Sequence, residues 1–397
     1  MNRDTRLLLL AYLAFISLGL PDTIFGIAWP SLRQGFALPP QAMGAVMVAG
    51  VSGYFCSGLL AGTLMRRLGV GGVLAVSSGL VALGLAGYSL APSWSLFFPV
   101  GFFVGLGSGA IDAALNDYAA RHFSVRHINW LHASWGVGAS TGPVIMTAAV
   151  AGPGYRSGYA LLASLLGLMT LAFIVTRRQW SQPAGVAAAR AERSGTLKEA
   201  LRSRNVWLSM AVFFAYTGLE STVGQWCFTW LTEGRGLAVA EAGAWTAAYW
   251  ASLTLGRVAL GWVAEWWGPD RLLRRASLGV VAGVSLLVLA PGLSGRLGLV
   301  LLGVSLAPVY PTLMARTPRR VGEELSSHAV GFLVSSATLG SALLPALVGF
   351  LVGRLGLEAI GFAALAMGAT FALLHEVCVA LPDASRSAEP ESTPLAG

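Results

Sequence analysis

The chain has 397 residues, of which 55% are hydrophobic and only 11% charged, with a formal net charge of +8. Soluble globular chains carry roughly 25% charged residues, so this composition excludes a water-soluble domain. The positive balance argues no better for nucleic acid, because the arginines fall between apolar runs and read as a membrane-topology signal.

A helix crossing ~30 Å of hydrocarbon needs about 20 mostly apolar residues. Twelve stretches meet that need. They lie at 7–29, 42–65, 70–91, 94–118, 128–151, 157–176, 206–231, 242–266, 272–293, 296–316, 327–353 and 357–381. Met1 to Arg6 followed by Leu7 to Leu10 has the look of a secretion signal. The apolar run continues to Trp29 without a small-residue cleavage site, so a first span is expected instead. The organisation expected is a six-span half over 1–176, a polar linker over 177–205, a second six-span half over 206–381 and a tail over 382–397. Within the linker, Ala188 to Arg204 suits a short surface helix. The tail, rich in Pro, Ser, Glu and Ala, has too little apolar surface to fold alone.

Lysine and arginine fix the orientation. With the N-terminus in the cytoplasm, 20 of the 26 fall on the inner side, five on the outer side and one, Arg257, inside a span. Both termini and the linker are therefore expected in the cytoplasm. Cys56, Cys227 and Cys378 sit in apolar runs without pairing or metal-ligand spacing, so they read as packing, and no metal or cofactor is expected. Gly105, Gly107 and Gly109 lie within a span and read as close helix packing rather than a phosphate loop.

Ionisable groups inside spans are expensive, on the order of 3 kcal/mol each at the membrane centre, so function is their default reading. Asp22 lies ~22 Å along the first span from Leu7, which places it in the outer part of the bilayer. Asp112 falls in the inner part of the fourth span, one turn from Asn116. His132 sits near the inner end of the fifth span, Glu220 and Gln225 on the seventh, and Arg257 on the eighth. Plainer readings stand beside these: Asp22 after Pro21 as a cap on a broken helix, His132 as a packing histidine, and Glu220 with Arg257 as a structural ion pair. Among many tryptophans, Trp135 and Trp226 are the candidates for contact with a bound solute.

The two halves repeat. A shift of 199 residues aligns Phe15, Gly19, Leu20 and Thr23 with Phe214, Gly218, Leu219 and Thr222, and Gly62 with Gly261. A shift of 198 aligns Ala139 and Gly142 with Ala337 and Gly340. With the linker and topology, this resembles the major facilitator transporters. The resemblance implies an all-α membrane protein of twelve helices in two six-helix pseudo-repeats, with the solute site between them. Gly62, Arg66, Arg67 and Gly69 resemble that family's loop motif between spans two and three. Arg66 stands where the motif has Asp. In the second half, Gly261 and Glu265 keep an acid at that position. A gating role for Gly62, Arg66, Arg67, Gly261 and Glu265 is what the resemblance implies; for the arginines, topology alone is the alternative.

Leu20-Pro21-Asp22, Trp29-Pro30, Gln34 to Leu38 and Ala61 to Leu68 resemble the fucose–proton symporter branch of the family. So does Asn129-Trp130-Leu131-His132-Ala133-Ser134-Trp135-Gly136. By match of position, Asp22 would meet the solute and Asp112 would carry the proton, with Asp22 a second candidate for proton coupling. Asn116, Asn129, His132, Trp135, Glu220, Gln225, Trp226 and Arg257 complete the candidate solute-binding set. Where the branch has sugar-binding amides, this chain has His132 and Trp135. The function implied is proton-coupled uptake of a sugar or similar polar solute by a monomer in the lipid bilayer of a bacterial inner membrane. The alternative is a proton-driven exporter of drugs or metabolites. Gly138, Gly142 and Pro143 match part of an antiporter signature, but Met146 and Thr147 replace its final glycines, and Phe103 stands where exporters carry arginine. A membrane sensor is a third reading, though no soluble signalling domain is evident. No constellation for enzyme chemistry is found.

Overall fold

The computed structural model describes residues 3–123, 125–180, 197–290 and 292–381. Its helices follow the apolar runs closely. α1 (Arg3–Asp22) and α2 (Phe25–Gly35) form the first span, interrupted just after Pro21. Proline lacks the N–H that would bond the carbonyl four residues back, which weakens the ladder there. α3 (Met43–Leu90) contains spans two and three, and the chain reverses between them at Gly69, whose φ of 68° suits glycine. α4 (Trp94–His122), α5 (Val125–Ala151) and α6 (Tyr155–Thr176) complete the first half.

A short helix, α7 (Leu197–Arg202), lies in the linker, inside the segment expected to form a surface helix. The expected helix from 188 to 196 and the tail from 382 lie outside the described residues. α8 (Arg204–Thr229) ends in a wider π turn, Trp230–Gly234. α9 (Val239–Trp267) and α10 (Pro269–Leu289) follow. α11 (Gly292–Leu306) and α12 (Val309–Val321) are one span bent at Pro308. α13 (Glu323–Leu355) and α14 (Ala359–Ala380) close the fold.

Among the described residues, nine helical segments are long and apolar enough by themselves to cross a membrane. The first part of α3, α5 and α9 bring the helices to twelve. α5 carries His132, Ser134, Ser140 and Thr141, the polar load of a helix that faces an internal space. Large apolar side chains point outward: Leu83, Leu90, Val175 and Leu289 are each more than 70% exposed. That surface is matched by lipid, not water. Inside, α3 and α4 meet so closely that a Cβ on Gly105 would collide with the Gly50 carbonyl, the packing its glycines suggested.

The two ends of the bundle differ. At the end remote from the termini, the first and second halves of the chain lock together. Arg33 and Glu233 form an ion pair at 2.8 Å, Gly44 lies against Ala346, and Gly353 lies against the Gln41 side chain. α5 and α9 stay in contact as far as mid-helix, where the Ser140 and Thr254 hydroxyls are 3.3 Å apart. Asp22, expected in the outer part, falls near the middle of the first span because that span starts at Arg3 and runs on to Gly35, and it is nonetheless exposed. With the far end closed, that exposure comes through a chamber opening towards the termini.

Candidate functional site

The chamber's first wall is built by α1 and α5. Gly19 and Gly138 let these helices approach backbone to backbone, which brings Trp135 across to Asp22. The Trp135 Nε1–H donates to Asp22 Oδ2 at 3.0 Å. On the same helix one turn nearer the termini, His132 is exposed and sets its ring edge-on to Phe15 at 5.4 Å. It lies within electrostatic range of Asp112 and Arg257.

The second wall comes from α3 and α4. The Tyr54 hydroxyl donates to Asp112 Oδ2 at 2.6 Å and the Asn116 amide donates to Asp112 Oδ1 at 2.9 Å. Asn116 is one helical turn from Asp112, so the sequence placed this pair on one face. Both carboxylate oxygens are thus held by neutral donors. No lysine or arginine among the described residues forms an ion pair with Asp112.

The facing wall is α8 and α9, and its acid is held differently. Glu220 Oε2 lies 3.5 Å from Arg257 Nη2, and the Tyr216 hydroxyl donates a short hydrogen bond to the same oxygen. The Tyr249 hydroxyl donates to the Glu220 backbone carbonyl at 3.0 Å. The Arg257 guanidinium stands 5.5 Å from the centre of the Trp135 ring, joining the two walls. Trp250 meets Trp135 edge to face at 6.1 Å. The ion pair offered as the plainer reading of Glu220 and Arg257 is present.

The structure thus gathers Asp22, Asp112, Asn116, His132, Trp135, Glu220 and Arg257 around one space. Two further candidates are spent on packing. Trp226 is fully buried and its Nε1–H donates to the Pro345 carbonyl at 2.9 Å, so in this conformation it pins α8 to α13 and cannot touch a solute. Gln225 has both side-chain polar atoms bonded to backbone groups of the first span. Asn129 lies on α5, and its side chain is outside the described part. Of the gating candidates, Arg66 and Arg67 are exposed, and Arg66 donates to the neighbouring Thr63 hydroxyl at 3.1 Å, next to Gly62. Gly261 and Glu265 lie on α9, and nothing beyond the backbone is described there. Sequence reading missed Tyr54 and Tyr216, because a tyrosine in an apolar run carries no formal charge to mark it.

These features define a membrane transport protein built around a central polar chamber. Residues 11–335 match the Major Facilitator Superfamily. The chain belongs to that family; it is a transporter, not an enzyme. A curated relative is the cis,cis-muconate transport protein of Acinetobacter baylyi, 22% identical, with 91% of this chain matched to 90% of that protein. Among solved structures, the transporter FucP in its outward conformation is similar with a TM-score of 0.63 at 18% identity, covering 95% of this chain and 99% of FucP. A bacterial homologue of the lysosomal transporter Spinster, inward-facing and occupied, is similar with a TM-score of 0.78 at 12% identity, covering 96% and 97%.

Proposed function

We propose that the protein couples inward proton movement to the uptake of a small neutral polar solute, a sugar or polyol, by alternating access across a bacterial inner membrane. Residues 1–176 and 206–381 act as the two moving halves, joined by a linker over 177–205, with both termini in the cytoplasm. The excess of arginine on the termini side supports that orientation. The conformation described is then the inward-open one.

One observation carries the coupling: among the described residues Asp112 is held by a phenol and an amide and pairs with no lysine or arginine. A proton on Asp112 discharges it without stranding a buried positive charge, and a neutral carboxyl crosses the membrane field at far less cost than an ion. Glu220 cannot do the same, because its proton would leave Arg257 alone. Asp22 and Trp135 face the chamber as acceptor and ring. A carboxylate accepts sugar hydroxyls and an indole covers the ring's C–H face. The charge count argues for a neutral solute. Among the described residues of that space, three carboxylates, Asp22, Asp112 and Glu220, outnumber the one guanidinium, Arg257, which pairs with Glu220, and this disfavours a dianion such as the relative's muconate.

The test is the external pH of energy-depleted vesicles on addition of a panel of sugars, polyols and organic acids. Alkalinisation with one neutral solute, absent in Asp112→Asn vesicles, is the expected result. Acidification, or a response confined to amphiphiles, would replace uptake with proton-driven export.

A further inference from the structure

The break between α1 and α2 is held open by a residue from the other half of the chain. In an unbroken α-helix the Gly26 N–H would donate to the Asp22 carbonyl, four residues back. Instead the Gln225 side chain occupies that rung: its Nε2–H donates to the Asp22 carbonyl at 2.8 Å and its Oε1 accepts the Gly26 N–H at 3.0 Å. A primary amide presents an N–H donor and a carbonyl acceptor side by side, so it replaces a single peptide-to-peptide bond without leaving either backbone group orphaned. A Cβ on Gly26 would collide with the Gln225 backbone carbonyl, so a glycine there is what lets α8 come close enough. Pro21 and Pro30 lack the N–H groups for the neighbouring rungs to Ser17 and Gly26, so the ladder around the inserted amide is already weak.

We propose that Gln225 is a wedge, carried on α8, that keeps the first span broken while the far end is closed, and that the span mends its missing rung when α8 withdraws. The exchange trades two bonds to the amide for one helical bond and two bonds to water, so both states keep their polar groups satisfied. It also reaches the chamber. Asp22 supplies the carbonyl of that rung and the carboxylate that accepts from Trp135. Mending the rung therefore re-aims the carboxylate as the far end opens. Gln225 is on this view a positioning residue for Asp22 and not a solute ligand. The Arg33–Glu233 ion pair closes the same α2–α8 seam nearer its rim. The inference rests on alternating access but on neither the solute nor the proton assignment.

The experiment places spin labels at Gln34 and Ala240, exposed far-end positions on opposite halves, in a chain whose three native cysteines are replaced. Distance distributions are recorded in lipid nanodiscs for the otherwise unaltered protein and for Gln225→Met, which keeps the bulk and loses both hydrogen bonds. Hydrogen exchange of the backbone from 22 to 30 is followed in parallel. Gln225→Met raises the ratio of far-end-open to far-end-closed molecules by roughly tenfold, from the loss of two hydrogen bonds, and residues 22–30 become more protected as the span mends. Gln225→Asn, one methylene short of spanning both groups, shifts the ratio in the same direction. Two distances in unchanged proportion would overturn the wedge alone. A single fixed distance in the unaltered chain would overturn alternating access and the wedge together.

Discussion

Two acids face the same chamber from opposite halves of the molecule, and their neighbours give them different work. Asp112 on α4 has a phenol and an amide. Glu220 on α8 has an arginine and two tyrosines nearby. Both cost free energy to bury, but only Asp112 can be neutralised by one proton without creating an unpaired cation. Under the proposed coupling, partner identity more than depth separates the acid that would carry the proton from the acid that holds an ion pair.

The sharpest way to break this contrast is to neutralise each acid in turn. Asp112→Asn should reduce proton-driven accumulation by about 100-fold or more, since coupling has no substitute, while solute exchange without a gradient continues; transport in proteoliposomes reads both. Glu220→Gln strips Arg257 of its partner, and breaking a buried pair costs about 3–5 kcal/mol. Thermal unfolding in detergent should show that loss. Glu220→Gln combined with Arg257→Met should recover much of it, whereas Asp112→Asn should unfold close to the unaltered chain.

Smaller changes sharpen the comparison. Tyr54→Phe removes a hydrogen bond to a charged group, an effect of about 1.5–3 kcal/mol. It should slow coupled uptake roughly tenfold and leave exchange less affected, a split that a purely structural role would not give. Trp135→Phe keeps a ring but loses the donor to the Asp22 carboxylate, again about 1.5–3 kcal/mol, so the solute's KM should rise roughly tenfold with little change in maximal rate. Arg33→Ala opens only a rim ion pair, 24% exposed on the arginine side. Its effect on far-end closure should stay under about 1 kcal/mol.

The sequence made some of this architecture readable and hid the rest for definite reasons. Spans were visible because lipid demands long apolar runs, and the predicted ends fall within a few residues of the helices. The Asp112–Asn116 pair was visible because four residues make one helical turn. The paired role of Glu220 and Arg257 was foreseeable from opposite charges on neighbouring spans. Tyr54 was not, since its hydroxyl matters only once α3 packs on α4. Trp226 and Gln225 were misleading for a related reason: both are polar-capable groups in the right span, but α8 aims Trp226 at the Pro345 carbonyl and Gln225 at the backbone of the first span. A 199-residue repeat did relate Gly26 to Gln225, yet no pattern within one helix reports a hydrogen bond made by the other half of the chain.

The most direct test of the central claim is the proton flux that accompanies solute entry into proteoliposomes, measured side by side for the unaltered chain, Asp112→Asn and the doubly substituted Glu220→Gln, Arg257→Met. The account predicts that proton flux disappears in Asp112→Asn and persists in the double variant. Persistent flux in Asp112→Asn, or its loss only when the Glu220–Arg257 pair is removed, would contradict it and move the proton to the other half of the molecule.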